Sequence, residues 1–265
     1  MNKNLVLLAI SAGLTGLLPA GASAQIPASE IAKRSLDAFY ASGRDMQVRV
    51  SMVLTNSQGG ERKRELTLYR KNMATGGDQR YFMYFHAPPD VKGTTFLVWK
   101  YPGKDDDRWI YIPAIKLVRR IAASDKRSSF VGSDFTYEDV SGRDPTDETH
   151  TLLREEALGD RSCYVLESRP VAGADYAKRV SWIDRERWIP LKEEYFDSRE
   201  RMVRVFTADT VEEIGKHWTV THRTMKNLQA GQRTEVTFQN VVYDQGLPDN
   251  LFTERTLREP PASAR

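Results

Sequence analysis

Apolar and polar positions alternate with a period of two along most of the chain, and that period predicts a β protein. Met46, Val48, Val50, Met52 and Leu54 alternate with Gln47, Arg49 and Ser51, the pattern of a strand with one dry face. After the turn Ser57-Gln58-Gly59-Gly60, residues 61–70 return with Leu66 and Leu68 inward, which reads as a hairpin. Residues 80–86 and 94–101, separated by Pro88-Pro89-Asp90, are apolar on both faces: Phe82 and Tyr84 against Tyr81, Met83 and Phe85, then Phe96 and Val98 against Leu97 and Trp99. Strands dry on both sides sit between a core and a covering layer. A strand at Trp109, Ile110, Tyr111 and Ile112 breaks at Pro113, and a short basic strand follows. Next comes a Gly/Ser/Asp-rich stretch carrying Phe130, Phe135 and Tyr137, too aromatic for an idle loop.

From residue 149 the strand period resumes at 149–156, 161–168, 178–184, 189–197, 202–211, 217–228 and 232–243. The breaks between these segments are far shorter than the dozen or so residues that a crossover helix needs, so neighbours are antiparallel. A helical period occurs near the start, where Ala32, Leu36, Phe39 and Tyr40 form one stripe between Pro27 and Gly43.

About a dozen antiparallel strands in one meander must curl. The expected fold is mainly β: a curved antiparallel sheet forming an incomplete, half-open barrel. The N-terminal helix and the aromatic segment, a short helical or loop lid, are the only covers foreseen, over a concave side wider than its own side chains fill. That is an apolar ligand cavity. Candidate lining residues are Phe82, Tyr84, Phe96, Val98, Trp109 and Tyr111, and Phe130, Phe135 and Tyr137 are candidates for the lid.

The first residues change where this fold is expected to work. Lys3, an apolar run from Leu5 to Leu18, Pro19 and Ala22-Ser23-Ala24 have the make-up of a cleaved signal peptide over residues 1–24. No cysteine follows the cleavage site, so a lipid anchor is not expected. Residues 25–265 are then one exported domain, a soluble monomer of the periplasm. The single cysteine, Cys163, forms no internal disulfide, and the chain must hold by its core. With 39 Lys and Arg against 36 Asp and Glu, there is no concentrated basic face of the kind that nucleic acid requires.

Catalysis finds no constellation. His217 and His222 are five apart on a strand and point to opposite faces, so they cannot share a metal. The pairs Asp184/Glu186 and Glu193/Glu194 lie at turns or alternate across a strand. Asp105, Asp106 and Asp107 lack the ligand spacing of a calcium loop and read as a solvated turn. Cys163 sits within a strand as a small core residue. No enzyme, metal or cofactor is expected. A lipid carrier needs none of these: burying an acyl chain of a dozen methylenes is worth on the order of 10 kcal/mol, and what the protein must supply is an apolar hollow with a lid.

The runs Trp109-Ile-Tyr-Ile-Pro-Ala114, Arg119-Arg120-Ile121 and Ser129-Phe130-Val131-Gly132-Ser133-Asp134-Phe135-Thr136-Tyr137-Glu138-Asp139 resemble the signature of the LolA-like outer-membrane lipoprotein-sorting family. The resemblance extends over about residues 28–258 and implies an unclosed antiparallel barrel with helices over its mouth. It implies a periplasmic carrier of lipoprotein acyl chains or other lipids, with an inner-membrane exporter and an outer-membrane acceptor as partners. The alternative is an accessory that binds such an exporter without carrying lipid. In the family's prototype carrier a basic strand end holds the lid. Its nearest counterpart here is Leu68-Tyr69-Arg70-Lys71-Asn72, which departs from that pattern in its shortened spacing and missing proline and leaves Arg70 as the candidate latch; a central stretch longer than the prototype's points to a distinct branch. The expected lid is the Phe130–Asp139 stretch. Gly132 lets its backbone turn, and Asp134, Glu138 or Asp139 pin it to the basic strand of Lys116, Arg119 and Arg120.

Overall fold

The computed structural model describes residues 25–73 and 77–264, so the expected signal peptide lies outside the described residues. Thirteen strands form one antiparallel sheet: β1 (Asp45–Thr55), β2 (Glu61–Asn72), β3 (Gln79–Ala87), β4 (Thr95–Lys100), β5 (Asp107–Ile112), β6 (Leu117–Ile121), β7 (Glu148–Leu158), β8 (Arg161–Pro170), β9 (Lys178–Asp184), β10 (Pro190–Phe196), β11 (Met202–Ile214), β12 (His217–Asn227) and β13 (Gln232–Tyr243). Sequential strands pair, and β1 closes the two halves by pairing with β13, so β6 and β7 are the edges of a curved, half-open barrel. Among the described residues three α-helices accompany it: α1 (Ala28–Tyr40), α2 (Tyr137–Ser141) and α3 (Glu254–Arg258). No helix among the described residues is long and apolar enough to cross a membrane.

The period-two pattern of β1 is realised as read, with Met46, Val48, Val50, Met52 and Leu54 all buried on one face. Helix α1 buries Ile31 and Ala32 against Tyr164, Leu166 and Ile183, which seats it across the β7–β9 end of the sheet. Its exposed side is laced by Lys33–Asp37 and Arg34–Glu30 pairs, both 2.6 Å and four residues apart.

The strands β2 to β5 are dry on both faces, and each face has its own cover. On the inner face Leu66, Leu68, Tyr81, Met83, Phe85, Phe96, Val98 and Ile110 pack with the β1 residues and with Phe130 and Tyr137. On the outer face Tyr69, Phe82, Tyr84, Leu97 and Trp109 pack against Leu247, Leu251, Phe252, Leu257 and Ala264. The C-terminal segment is thus a third cover, beyond the helix and the aromatic segment expected from sequence. Asp45 ties it down by accepting the backbone N–H groups of Gln245, Gly246 and Leu247 at 2.9, 2.8 and 3.0 Å.

Candidate functional site

The inner face meets segment 128–143, which leaves the β6 edge and crosses the hollow. Its first part is a tight turn: the Phe130 N–H donates to the Phe135 carbonyl at 2.8 Å, and Ser129 bridges to Thr136. Val131 and Gly132 both take left-handed conformations, with φ of 50° and 77°. Glycine does so freely, whereas a β-branched valine does so only under strain, here offset by packing of Val131 against the core. Thr136 then caps α2 in a reciprocal box, its hydroxyl accepting from the Asp139 N–H and the Asp139 carboxylate accepting from the Thr136 N–H. At the far end Gly142, with φ of 77°, lies so close to α1 that a Cβ would fall 2.7 Å from the Tyr40 ring.

Charge pins this segment. The Asp139 carboxylate meets Arg204 of β11 at 3.1 Å, and Arg204 also meets Asp175 at 2.9 Å. The Thr234 hydroxyl donates to Asp134 at 2.8 Å and accepts from its N–H at 3.0 Å. Glu138 is held by Arg143 and Lys126, each at 3.1 Å. The buried Lys100 ammonium donates to the Gly142 carbonyl at 2.7 Å, and the Tyr40 hydroxyl donates to the Asp139 carbonyl at 3.0 Å. Burial pushes the Asp134 carboxyl above its ordinary value, with the Thr234 bond opposing. Burial likewise lowers the pKa of Lys100.

The six lining candidates divide between the two faces. Phe96 and Val98 are fully buried on the inner face, with the Phe96 ring 5.3 Å from Phe130 and 5.4 Å from Tyr137. Phe82, Tyr84, Trp109 and Tyr111 lie on the outer face beneath the C-terminal cover. The physical reason is register: Met83 pairs with Phe96 and Phe82 with Leu97, so neighbours across the β3–β4 hairpin share a face in combinations that alternation within one strand does not reveal.

Of the lid candidates, Phe130 and Tyr137 are buried in the main core, Phe135 is half-buried, and Gly132 is exposed at the tip of the turn. The latch candidates are placed differently from the expectation. Asp134, Glu138 and Asp139 bond to Thr234, Arg143, Lys126 and Arg204, because the segment runs away from β6 toward the β11–β13 side. Arg120 pairs with Asp107, and Arg119 lies beside the Tyr137 hydroxyl, whose pKa burial raises and Arg119 lowers. Arg70 is buried and donates to the Ser42 carbonyl and to Asn72, holding the loop after α1. Asp106, read as part of a solvated turn, is buried against Arg108 at 2.6 Å and accepts from Ser141 at 3.2 Å, another tie on the segment. The signal for that tie was Asp106 and Arg108 two apart at a strand start, on one face.

Sequence reasoning missed Arg204, Thr234 and Arg223. The first two reach the segment from β11 and β13, and Arg223 reaches it from β12. The Cys163 thiol is buried and its pKa is pushed up to about 11, the state of an inert core cysteine. His217 lies by Asp244 at 3.4 Å and His222 by Asp209 at 3.6 Å, at separate places on β12.

Small hollows lie under this cover. One of ≈ 70 Å³ is walled by Val50, Met52, Leu66, Met83, Phe130 and Phe135, among others. It shares Leu68, Val140, Arg223 and Phe238 with a second of ≈ 50 Å³, which reaches Tyr40 and Arg70. A third of ≈ 70 Å³ under α1 shares Phe39 and Tyr40 with the second. It also shares Leu36, Tyr40 and Pro145 with an open cleft of ≈ 1080 Å³ between α1, Pro102 and the Asp144–His150 stretch. The hollows thus form a file from the open cleft to the space behind Phe135.

Known structures share this architecture. A DUF1329 family protein from Desulfovibrio piger superposes with a TM-score of 0.81 at 31% identity, over 87% of this chain and 97% of that one. A putative outer membrane lipoprotein-sorting protein domain from Vibrio parahaemolyticus gives 0.80 at 30% identity, over 87% and 98%. A LolA superfamily protein from Nitrosomonas europaea gives 0.68 at 19% identity, over 87% and 99%, and shows the same fold. A family model described as an uncharacterized protein matches residues 77–259, and no curated protein matches the chain. The chain belongs to the DUF1329 and outer membrane lipoprotein-sorting protein family, and it has the fold of the LolA superfamily protein.

Proposed function

We propose that the protein is a periplasmic carrier that takes lipoprotein acyl chains, or other lipid chains, into the interior of its half-barrel when segment 128–143 lifts. The observation that carries this reading is the cover itself. The inner face of the sheet is closed by a crossing segment rather than by its own side chains, and that segment is pinned by a few charged and polar bonds with voids left behind it. Sites for small molecules occupy about 300–1,000 Å³. On this reading the hollow of ≈ 70 Å³ behind Phe130 and Phe135 is the closed state of a larger space. Moving Phe130, Phe135 and Val140 exposes a wall of Val50, Met52, Leu66 and Met83, on which each buried methylene is worth about 0.8 kcal/mol. This chemistry needs no catalytic group.

Mass spectrometry of an organic extract of protein purified from its own host without detergent tests the proposal. A stoichiometric acyl-bearing species is the expected result. Protein that is empty, and that takes up no fluorescent acyl probe, would refute it.

A second reading is an accessory that docks to an inner-membrane lipid exporter without carrying lipid. It is favoured by the edge β6, where Ile115 and Leu117 are 64% and 46% exposed beside Arg119 and Arg120. A stable complex with an exporter, formed by lipid-free protein that binds no probe, distinguishes it.

A further inference from the structure

Among the described residues the cations facing the interior are matched, with one exception. Arg204 has Asp139 and Asp175, Arg179 has Glu148 at 2.7 Å and Glu193 at 3.4 Å, Arg143 has Glu138, and Arg108 has Asp106. Arg70 has the Ser42 carbonyl and Asn72. Arg223 of β12 makes no hydrogen bond and no ion pair among the described residues, and its Nε is shut off from solvent. Its guanidinium instead lies 4.5 Å from the centre of the Phe238 ring, 5.6 Å from Phe39 of α1 and 5.9 Å from Phe135 of the crossing segment.

Magnitudes show that this arrangement is incomplete. Cation–π contact returns about 0.5–2 kcal/mol, whereas withdrawing a charge from water costs several. Burial accordingly lowers the Arg223 pKa, with Tyr40 and Asp139 working against it. Asp139, on the wall of the same hollow, acts on Arg223 through its charge but makes no bond to it; its Oδ2 takes Arg204 and the Thr136 N–H.

The position of Arg223 identifies what is missing. It lies on the wall shared by the apolar hollow behind Phe130 and Phe135 and the hollow that reaches Arg70 and Tyr40, where apolar and polar linings meet. We infer that Arg223 is the headgroup site of this interior, binding the phosphate or carboxylate of an acyl amphiphile whose chain lies along Val50, Met52, Leu66 and Met83. The inference rests on the carrier reading and adds the ligand's charge to it. In the closed state the three rings hold the guanidinium. When the cover lifts, Phe135 withdraws and an anion takes a fork of N–H donors that the Phe238 and Phe39 rings already hold in place, with Nε already shut off from solvent. Arg70, on the same second hollow, adds a second positive charge to the field there.

Displacement of a fluorescent acyl probe by matched pairs tests this on the mature protein: palmitate against palmityl alcohol, lysophosphatidate against the monoacylglycerol of the same chain, and inorganic phosphate alone. A charge-assisted hydrogen bond predicts that the anionic member of each pair binds roughly ten- to a hundredfold tighter. Arg223→Gln should erase that preference, so that the anionic and neutral members of each pair bind alike. Equal binding within pairs in the wild-type protein, or a preference that survives Arg223→Gln, overturns the inference and leaves the carrier reading standing. Displacement by inorganic phosphate as strong as by lysophosphatidate overturns it in favour of a free-anion site. Binding of no amphiphile at all removes both readings. Should Arg223→Gln fail to fold, Arg223→Lys keeps the charge without the fork, and an undiminished preference there also overturns the assignment.

Discussion

The two covers of strands β2–β5 solve the same problem by different means. The outer cover, residues 247–264, inserts Leu251, Phe252, Leu257 and Ala264, all 5% exposed or less, and most of its polar ties run to backbone groups, with one ion pair between Lys71 and Asp249 at 2.6 Å. The Tyr69 hydroxyl donates to the Ser263 carbonyl at 3.0 Å, Thr95 to Leu257 at 2.7 Å and the Trp99 indole to Phe252 at 2.9 Å. The inner cover, residues 128–143, inserts Phe130 and Tyr137, leaves hollows behind Phe135, and hangs on carboxylates facing Arg204 and Lys126, with Arg143 at its end donating to the Gly173 carbonyl at 3.3 Å. An apolar lining with saturated backbone bonds opens only with the whole sheet. A lining with voids and a few charged pins has its own, smaller opening free energy. The contrast supports the proposal that the outer cover is structural and the inner one moves.

The largest expected effect lies on the outer cover. Leu257 has no exposed surface, and Leu257→Ala should destabilise the whole protein by about 2–5 kcal/mol, read as a shift of the urea midpoint at unchanged slope. A loss below about 1 kcal/mol would mean that the outer cover is dispensable and the contrast is false.

The two covers were unequally visible in the sequence. The inner one announced itself through Phe130, Phe135 and Tyr137 in a stretch otherwise made of turn residues. The outer one has Leu247, Leu251, Phe252 and Leu257 spread over short turns with no sustained period, and its anchor, Asp45, lies about two hundred residues away. The strands were legible for the opposite reason: Met46 to Leu54 and the seven segments after residue 149 repeat one local rule many times. Which face of β3, β4 and β5 lines the interior was not legible, because alternation gives two faces and only the pairing of Phe82 with Leu97 decides between them. The pins were equally hidden. Arg204 and Thr234 are ordinary strand residues until the fold carries Asp139 and Asp134 across the hollow to meet them.

An intermediate effect is expected at Asp139. Asp139→Asn keeps the cap of α2 and the shape of the side chain but removes the charge that Arg204 meets. Arg204 retains Asp175, so no cation is stranded and the loss should be about 1 kcal/mol. Amides of residues 130–142 should then exchange with deuterium roughly fivefold faster, while those of 251–258 change little. Equal acceleration in both covers would show that they open as one unit.

The smallest effect is a pH dependence of the inner cover alone, and its sign follows from Asp134. Burial raises the pKa of this carboxyl in the docked segment above the ordinary 3.8, the Thr234 bond only partly opposing. With the raised value in the docked state, that state binds the proton more tightly than the lifted one. Docking is therefore favoured below the ordinary value and progressively weakened as pH rises from 3.8 through the raised value, beyond which the loss is complete. Asp144 at the far end of the segment has the opposite sign: burial raises its pKa, but the N–H groups of Thr146 and Gly103 more than reverse that, so its stabilisation is lost only as pH falls below the ordinary carboxylate value. The two windows lie on either side of 3.8 and separate in a titration. The rate of acyl-probe uptake should rise by less than about threefold as pH is raised through the window above that value, and Asp134→Asn, which keeps a hydrogen-bonding partner for Thr234 but does not ionise, should flatten the profile. An uptake rate that falls over the same window, or a profile unchanged by Asp134→Asn, would place the gate somewhere other than this segment.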